Sequence, residues 1–428
     1  MNPRTRTRAW LRHAGAAATV AVFSIAVQAQ TAAAPAEPAN AAGFLSLRQV
    51  FDTAWARQPE ALALPARRDA ARSQQAAANA WTPEPAALEL SNRTDRLNRN
   101  QGARELEVGV AVPLWLPGER GRSAALADAE SAALESRASA AQMRVAATVR
   151  EAWWQWQRAR IEIDSARDQL DNTRRIAADV SRRTQAGDLA RADQHQADGA
   201  VAGAAATLAQ AEAAHASARQ HLRALAGVAP STSDSAAPLA EPDPGAAAAD
   251  VEAHAALQEL KDRAAVAERT AALAAIRSRA NPELMLATTR DRGAFGQAAQ
   301  QTITLGVRIP FGGGPRHDAR TANARAEATE VQAQLALERE RLMTDRETAR
   351  VRVDASRAQL AAAERRARLA RESRGFFDKS FRLGESDLPT RLRIEAEATE
   401  AERQAARTRI ELAAAISAWR QALGLLPQ

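Results

Sequence analysis

Residues 105–121 read ELEVGVAVPLWLPGERG, and residues 302–316 read TITLGVRIPFGGGPR. In the first stretch Leu106, Val108, Val110 and Val112 alternate with Glu105, Glu107, Gly109 and Ala111. In the second, Ile303, Leu305, Val307 and Ile309 alternate with Thr302, Thr304, Gly306 and Arg308. A period of two puts one apolar and one polar face on each strand. Segments of this length and pattern suit strands with lipid on one side and water on the other. Trp81, Trp115 and Phe311 fall just outside the strand ends, where a membrane interface places aromatics.

The two stretches stand 197 residues apart, and other landmarks keep that offset. Pro85 matches Pro282, Arg93 matches Arg290, Pro113 matches Pro310, and Gly187 matches Gly384. Each repeat therefore carries a second strand upstream, PAALELSN from Pro85 and PELMLATT from Pro282. The sequence divides into a first repeat at 44–227, with strands about 86–92 and 105–112, and a second at 250–428, with strands about 283–289 and 301–309. Residues 228–249, rich in Pro, Ser and Ala, read as a linker.

Downstream of each strand pair the period changes. Val149, Trp156, Ile163, Leu170 and Ala177 stand seven apart, with Ala152, Ala159, Ala166 and Thr173 between them. This is a heptad seam of large residues facing small ones. In the second repeat Val353, Leu360 and Ala367 interleave with Ala349, Ser356 and Ala363, although Arg346 stands where Val149 predicts an apolar residue. From Glu119 to Ala186 only Gly121 interrupts. A helix of that length spans about 100 Å. Flanking helices near 46–80 and 188–226 would run end to end beside it.

The N-terminus reads as an address. Arg4, Arg6, Arg8 and Arg12 precede 14 uncharged residues, Ala14 to Val27, and a small-x-small site ends at Ala29. Residues 1–29 are expected to be a secretory signal peptide and 30–43 an N-terminal extension. The net charge of +7 suggests nucleic acid at first sight. Without the four signal arginines the balance is 54 basic against 51 acidic residues, so no nucleic-acid partner is expected. The chain has no Cys, which excludes disulfides, Cys-ligated metal and thiol catalysis. Its apolar residues are mostly Ala, suited to helices and poor for a globular core.

Four strands cannot close a barrel, and an open edge in lipid is not viable. Three copies would supply twelve. The opening helix LSLRQVFDTAWARQPE at 45–60 resembles that of the TolC-like outer-membrane efflux proteins. So do the connectors VPLWLPGERG and IPFGGG and the turns TQAGDLARADQHQA and FRLGESDLPTRLRIEAEA. The resemblance covers the chain after the signal peptide. It implies a mainly α protein with a small β part, built as two tandem repeats of long coiled-coil helices plus four strands per chain. Such chains trimerise into a 12-stranded β-barrel in the outer membrane of a Gram-negative bacterium, set on a periplasmic α-helical barrel. It further implies a passive exit duct, a periplasmic adaptor protein and an inner-membrane pump of the RND type. The connectors look most similar to the subgroup paired with heavy-metal pumps.

Gly187 and Gly384 match the family's tip turn glycines, and the candidate aperture is Asp193, Thr390, Arg391 and Arg393. Asp193 matches an acidic position of the motif. Thr390 and Arg393 replace acids in the second repeat, so a pairing of Asp193 with Arg391 or Arg393 is expected to hold the tip closed. No enzyme, cofactor or resident metal is expected. Glu212 and His215 have Glu-x-x-His spacing but lack the further carboxylates and second pair of a di-iron bundle. Gly312–Gly314 lacks the Lys of a phosphate loop. Met143, Met285 and Met343 are isolated and form no soft-metal path. Two other classes compete: a periplasmic adaptor, which would carry a single helical hairpin in a β-rich chain, and a pore-less structural coiled coil, which has no need of amphipathic strands.

Overall fold

The computed structural model describes residues 46–98, 100–227, 240–245, 250–312 and 314–428. The expected signal peptide, the N-terminal extension and most of the expected linker lie outside the described residues. The first repeat runs α1 (Leu47–Ala56), α2 (Pro59–Ala78), β1 (Ala87–Thr94), β2 (Arg104–Pro113), α3 (Glu119–Ala186) and α4 (Arg191–Ala226). The second begins with a 3-10 turn (Val251–Ala253) and continues α5 (Ala255–Ile276), β3 (Glu283–Arg292), β4 (Gln300–Arg308), α6 (Gly314–Arg382) and α7 (Leu388–Ala422).

Helix α3 has 68 residues and α6 has 69, each about 100 Å long. The heptad reading of α3 describes its buried side. Val149, Trp156, Ile163 and Leu170 are buried, as are Ala152 and Ala166. In α6 the shorter seam buries Val353, Ser356 and Ala367. Against α3 pack α1 and α2 at one end and α4 at the other, and α3 also touches α5 and α7. The largest apolar cluster lies where α1, α3, α4 and α7 meet, around Phe51, Trp153, Trp154, Trp156, Leu222 and Ile410. Trp153 and Trp156 tilt against each other with ring centroids 5.2 Å apart.

One boundary differs from the sequence expectation. The helix expected near 46–80 is two helices, broken at Arg57–Gln58. Pro59 is the cause. It sits at the first position of α2, lacks an N–H, and pushes the preceding residue out of the helical region. Gln58 accordingly has ψ 139°. Ser46 caps α1 through a reciprocal capping box with Gln49.

The four strands form one antiparallel sheet in the order β1-β2-β3-β4. Its register joins the repeats edge to edge, because β2 pairs β3 with Val110 opposite Leu286 and Val112 opposite Leu284. At the foot of the sheet Glu119 is buried at the start of α3. Its carboxylate accepts from the Leu116 N–H at 3.0 Å, from Arg277 Nε at 2.7 Å and from Asn281 Nδ2 at 2.9 Å. One acid thus ties the strand-to-helix connector of the first repeat to the helix-to-strand connector of the second. Nothing in the sequence pattern singles it out.

Candidate functional site: the sheet faces and the helix tips

The register sorts the sheet's side chains into two faces. Leu88 lies opposite Val110, Val110 opposite Leu286, and Leu286 opposite Leu305. Leu90, Val108, Thr288 and Ile303 form the next row. This apolar band crosses all four strands and is exposed: Leu90 is 67%, Ile303 74% and Leu305 72% accessible. Apolar patches spanning a whole sheet are rare on a soluble surface and mark contact with lipid or protein. Trp81 and Phe311, at the foot of the band, are 92% and 88% exposed. The third expected interface aromatic, Trp115, is half-buried and donates its indole N–H to the Ala80 carbonyl at 3.2 Å.

The opposite face is polar. It carries Glu89, Ser91, Glu107, Thr289, Thr302 and Thr304, with ion pairs Arg93–Glu105 at 3.6 Å and Arg308–Glu283 at 3.2 Å. Here the structure corrects the repeat alignment. An offset of 197 matches Arg93 with Arg290. In the sheet Arg93 is on the polar face opposite Glu105, while Arg290 is on the apolar face opposite Leu106. The apolar residues of β1, Leu88 and Leu90, correspond to Leu284 and Leu286 at 196. One residue fewer separates the first strands than the second strands, and a shift of one inverts the faces.

The second element is the pair of helical turns. Gly187 ends α3 at φ 90° and Gly384 follows α6 at φ 77°, left-handed positions that favour glycine. Asp387 caps α7 by accepting from the Thr390 N–H at 3.1 Å. Hydrogen bonds from Thr390, side chain first and backbone second, hold the Asp387 carboxyl below its ordinary value. A small cluster of Ile176, Val180, Ala197, Phe381 and Leu388 packs both turns together.

The expected pairing of Asp193 with Arg391 or Arg393 is not made within the chain. Asp193 turns back on its own helix and accepts from the Ala190 N–H at 3.1 Å, which the unsatisfied amides at a helix start favour. Arg393 pairs along its own helix with Glu397 at 2.7 Å. Arg391 reaches Asp179 of α3 at 3.5 Å and Asp378 of α6 at 2.8 Å. It therefore bridges to the α3/α4 hairpin through Asp179 and ties its own hairpin together through Asp378. Phe381 lies between two cations, with the Arg391 guanidinium 4.6 Å and that of Arg183 4.9 Å from its ring centre. Arg183 also contacts Asp179 at 3.7 Å. Asp179, Asp378, Arg183 and Phe381 were not candidates from sequence. Their signal, acids and an aromatic within two turns of the glycines, is hidden among the many charges of these helices.

Among the described residues no group of three or more His, Cys, Asp or Glu side chains comes together as a metal site. No described helix is long and apolar enough to cross a membrane.

The profile of the outer membrane efflux protein family matches residues 50–228, less than half of the chain. No curated protein matches. Among solved structures, the outer membrane protein VceC from Vibrio cholerae superposes with a TM-score of 0.69 at 16% identity, covering 88% of this chain and 96% of its own. The open-state MtrE outer membrane channel of Neisseria gonorrhoeae gives 0.71 at 15% identity, covering 89% of each chain. The outer-membrane channel OprN gives 0.70 at 20% identity, covering 88% of this chain and 89% of its own. At such identities the likeness establishes the fold, a mainly helical chain with a four-stranded antiparallel sheet.

Proposed function

We propose that this chain is an outer membrane efflux protein, one of three copies that enclose a passive exit duct. The observation that carries the reading is the exposed apolar band on one face of a four-stranded sheet whose other face is polar. Both outer strands, β1 and β4, are unpaired edges in a single chain. Edges in lipid must be closed, and three copies joined β4 to β1 make twelve strands with apolar side out and polar side in. The same arrangement gathers three sets of long helices into a helical barrel on the periplasmic side. The protein acts by passage rather than reaction. Support for the class comes from the family match and from the shared fold of VceC, MtrE and OprN.

A periplasmic adaptor receives the helix tips, and an RND-type inner-membrane pump loads the duct. The connector motifs favour a pump of the heavy-metal subgroup. Deletion of the gene followed by growth on metals, drugs and solvents identifies the cargo; sensitivity to drugs with unchanged metal tolerance would reject that subgroup.

The protein is expected in outer-membrane fractions, as a trimer in mild detergent. A soluble periplasmic monomer would overturn the reading.

The tip closes the duct, with Asp193, Thr390, Arg391 and Arg393 near its aperture and Arg391 holding the α3/α4 and α6/α7 hairpins together. Replacing Arg391 with Ala removes its inter-hairpin ion pair with Asp179 and its pair with Asp378 inside the α6/α7 hairpin. Closed-state conductance in planar bilayers is expected to rise severalfold. Asp193→Ala instead removes the acceptor for the Ala190 N–H at the start of α4, a hydrogen bond worth about 1 kcal/mol locally, and leaves conductance near wild type. The opposite order of effects would assign the latch to Asp193.

A further inference from the structure

We propose that the loop end of the sheet carries a binding site for the phosphate groups of a lipid headgroup, formed by Arg104, Arg290 and Arg292. The proposal rests on the outer-membrane reading above. Arg104 of β2 lies directly opposite Arg292 of β3, and Arg290 lies opposite Leu106 on the same face. All three share the apolar face: Arg290 stands in the last row of the band, beside Leu106, and Arg104 and Arg292 lie one pleat beyond it. Like charges directly opposite one another destabilise a sheet unless something neutralises them.

The protein supplies little neutralisation. Of the acids at this end, Glu105 and Asp291 belong to the polar face, Glu105 is engaged by Arg93, and Asp95 of the β1–β2 loop accepts from the Gln101 N–H at 2.6 Å. The Arg104 and Arg290 side chains are exposed and have no hydrogen-bond or ion-pair partner among the described residues. Arg292 is held in place. Its Nε donates to the Gly102 carbonyl at 3.2 Å, and its guanidinium lies 5.7 Å from the Phe295 ring centre. The Phe295 N–H in turn donates to the Gln101 carbonyl at 2.8 Å, which links the β1–β2 and β3–β4 loops. An open pocket of about 570 Å³ lies over this end, lined by the three arginines together with Thr94, Arg96, Glu105 and Asp291.

Position identifies the ligand. All helices join the sheet at its other end, through Leu114–Gly118, Ile309–Gly312 and the starts of β1 and β3. With the helices in the periplasm, the arginines sit on the lipid side at the level of the outer-leaflet headgroups. Guanidinium forks bind phosphate oxygens in pairs, and an array of three suits a headgroup with more than one phosphate. A bisphosphorylated glycolipid, with acyl chains along the Leu88–Leu305 band, satisfies both chemistries at once.

Native mass spectrometry of the detergent-purified trimer tests this, with bisphosphorylated lipid A, dephosphorylated lipid A and inorganic phosphate as probes. Wild type is expected to retain lipid A. Affinity is expected to fall about tenfold or more without the phosphates, and similarly in R104Q/R290Q, whose trimeric mass in the same spectrum shows that it assembled. R104K/R290K keeps the charge but not the fork and is expected to lie between the two. Equal binding by the Gln and wild-type proteins, equal binding of dephosphorylated lipid, or inorganic phosphate held as tightly as lipid would each overturn the site. Wild-type trimers that conduct yet retain no lipid would overturn this inference and leave the channel standing. A chain absent from the outer membrane would remove both.

Discussion

Glu241→Ala is expected to destabilise the protein by about 3–5 kcal/mol, the largest effect of any single polar substitution in the helical part. The Glu241 side chain is fully buried. Its carboxylate takes a fork from Arg150 of α3, Nε at 3.0 Å and Nη2 at 2.7 Å. Arg420 of α7 approaches it at 3.3 Å, and the Ser417 hydroxyl donates to it. Arg420 also donates to the Pro242 carbonyl at 3.1 Å. Both guanidiniums are at most 5% exposed. Two buried cations share one anion, so deleting the anion leaves charge that neither water nor protein compensates. Removing a surface partner is different. Asp52, paired with Arg48 with both side chains half exposed, should cost well under 1 kcal/mol when replaced by Ala. Replacing Arg150, Glu241 and Arg420 together by Met, Leu and Met should cost less than Glu241→Ala alone, because no orphaned charge remains. Denaturant unfolding of the detergent-solubilised protein checks all three. A loss of under about 1 kcal/mol for Glu241→Ala would mean that water reaches the site.

The same contact bears on how the repeats are joined. Residues 228–249 read as a linker, yet the described part, 240–245, is fastened to α3 and α7 through Glu241 and to Arg357 of α6 through Asp243. Composition could not show this. A Pro- and Ala-rich stretch signals the absence of helix, not the absence of contact, and a single carboxylate among 51 acidic residues carries no periodic signal. Glu119 escaped notice for the same reason.

What could be read in advance was whatever depends on period or on backbone chemistry. The limits of α3 follow from where Gly and Pro stop and resume, and its buried side follows from spacing by sevens. The faces of β2 and β4 follow from alternation. The break before Pro59 was equally written in the chain but was overridden by the apolar pattern on either side of it. The face of Arg290 was not legible, because a repeat offset locates a strand only to within a residue or so, and one residue inverts a strand. The partners within the chain at the tip were hidden for another reason. Asp193 and Arg391 are close in sequence to the right turns, but which acid meets which base depends on helix rotation. At these charge densities several pairings are equally compatible with the sequence, and Arg391 selects Asp179 and Asp378.

Leu305→Arg separates the membrane reading from any soluble one more sharply than localisation does. Leu305 is at the centre of the band, opposite Leu286, with Ile303 and Val307 flanking it on the same face of β4. It is 72% exposed. If that exposure is to water, the substitution is nearly neutral, since surface changes away from special features stay within about ±0.5 kcal/mol. If it is to lipid, an arginine near the bilayer midplane costs about 2–4 kcal/mol in each strand that carries it, and three copies carry three. Trimers of Leu305→Arg are therefore expected to be lost from the outer membrane or to dissociate at much lower denaturant than wild type. Thr304→Arg, one residue away on the polar face, provides the control, because its side chain enters water in either case. That variant should assemble normally and alter only conductance. A chain that tolerates Leu305→Arg as well as Thr304→Arg does not place this face in lipid. The band would then be a protein contact, and the duct, if there is one, would have to be enclosed by the helices alone.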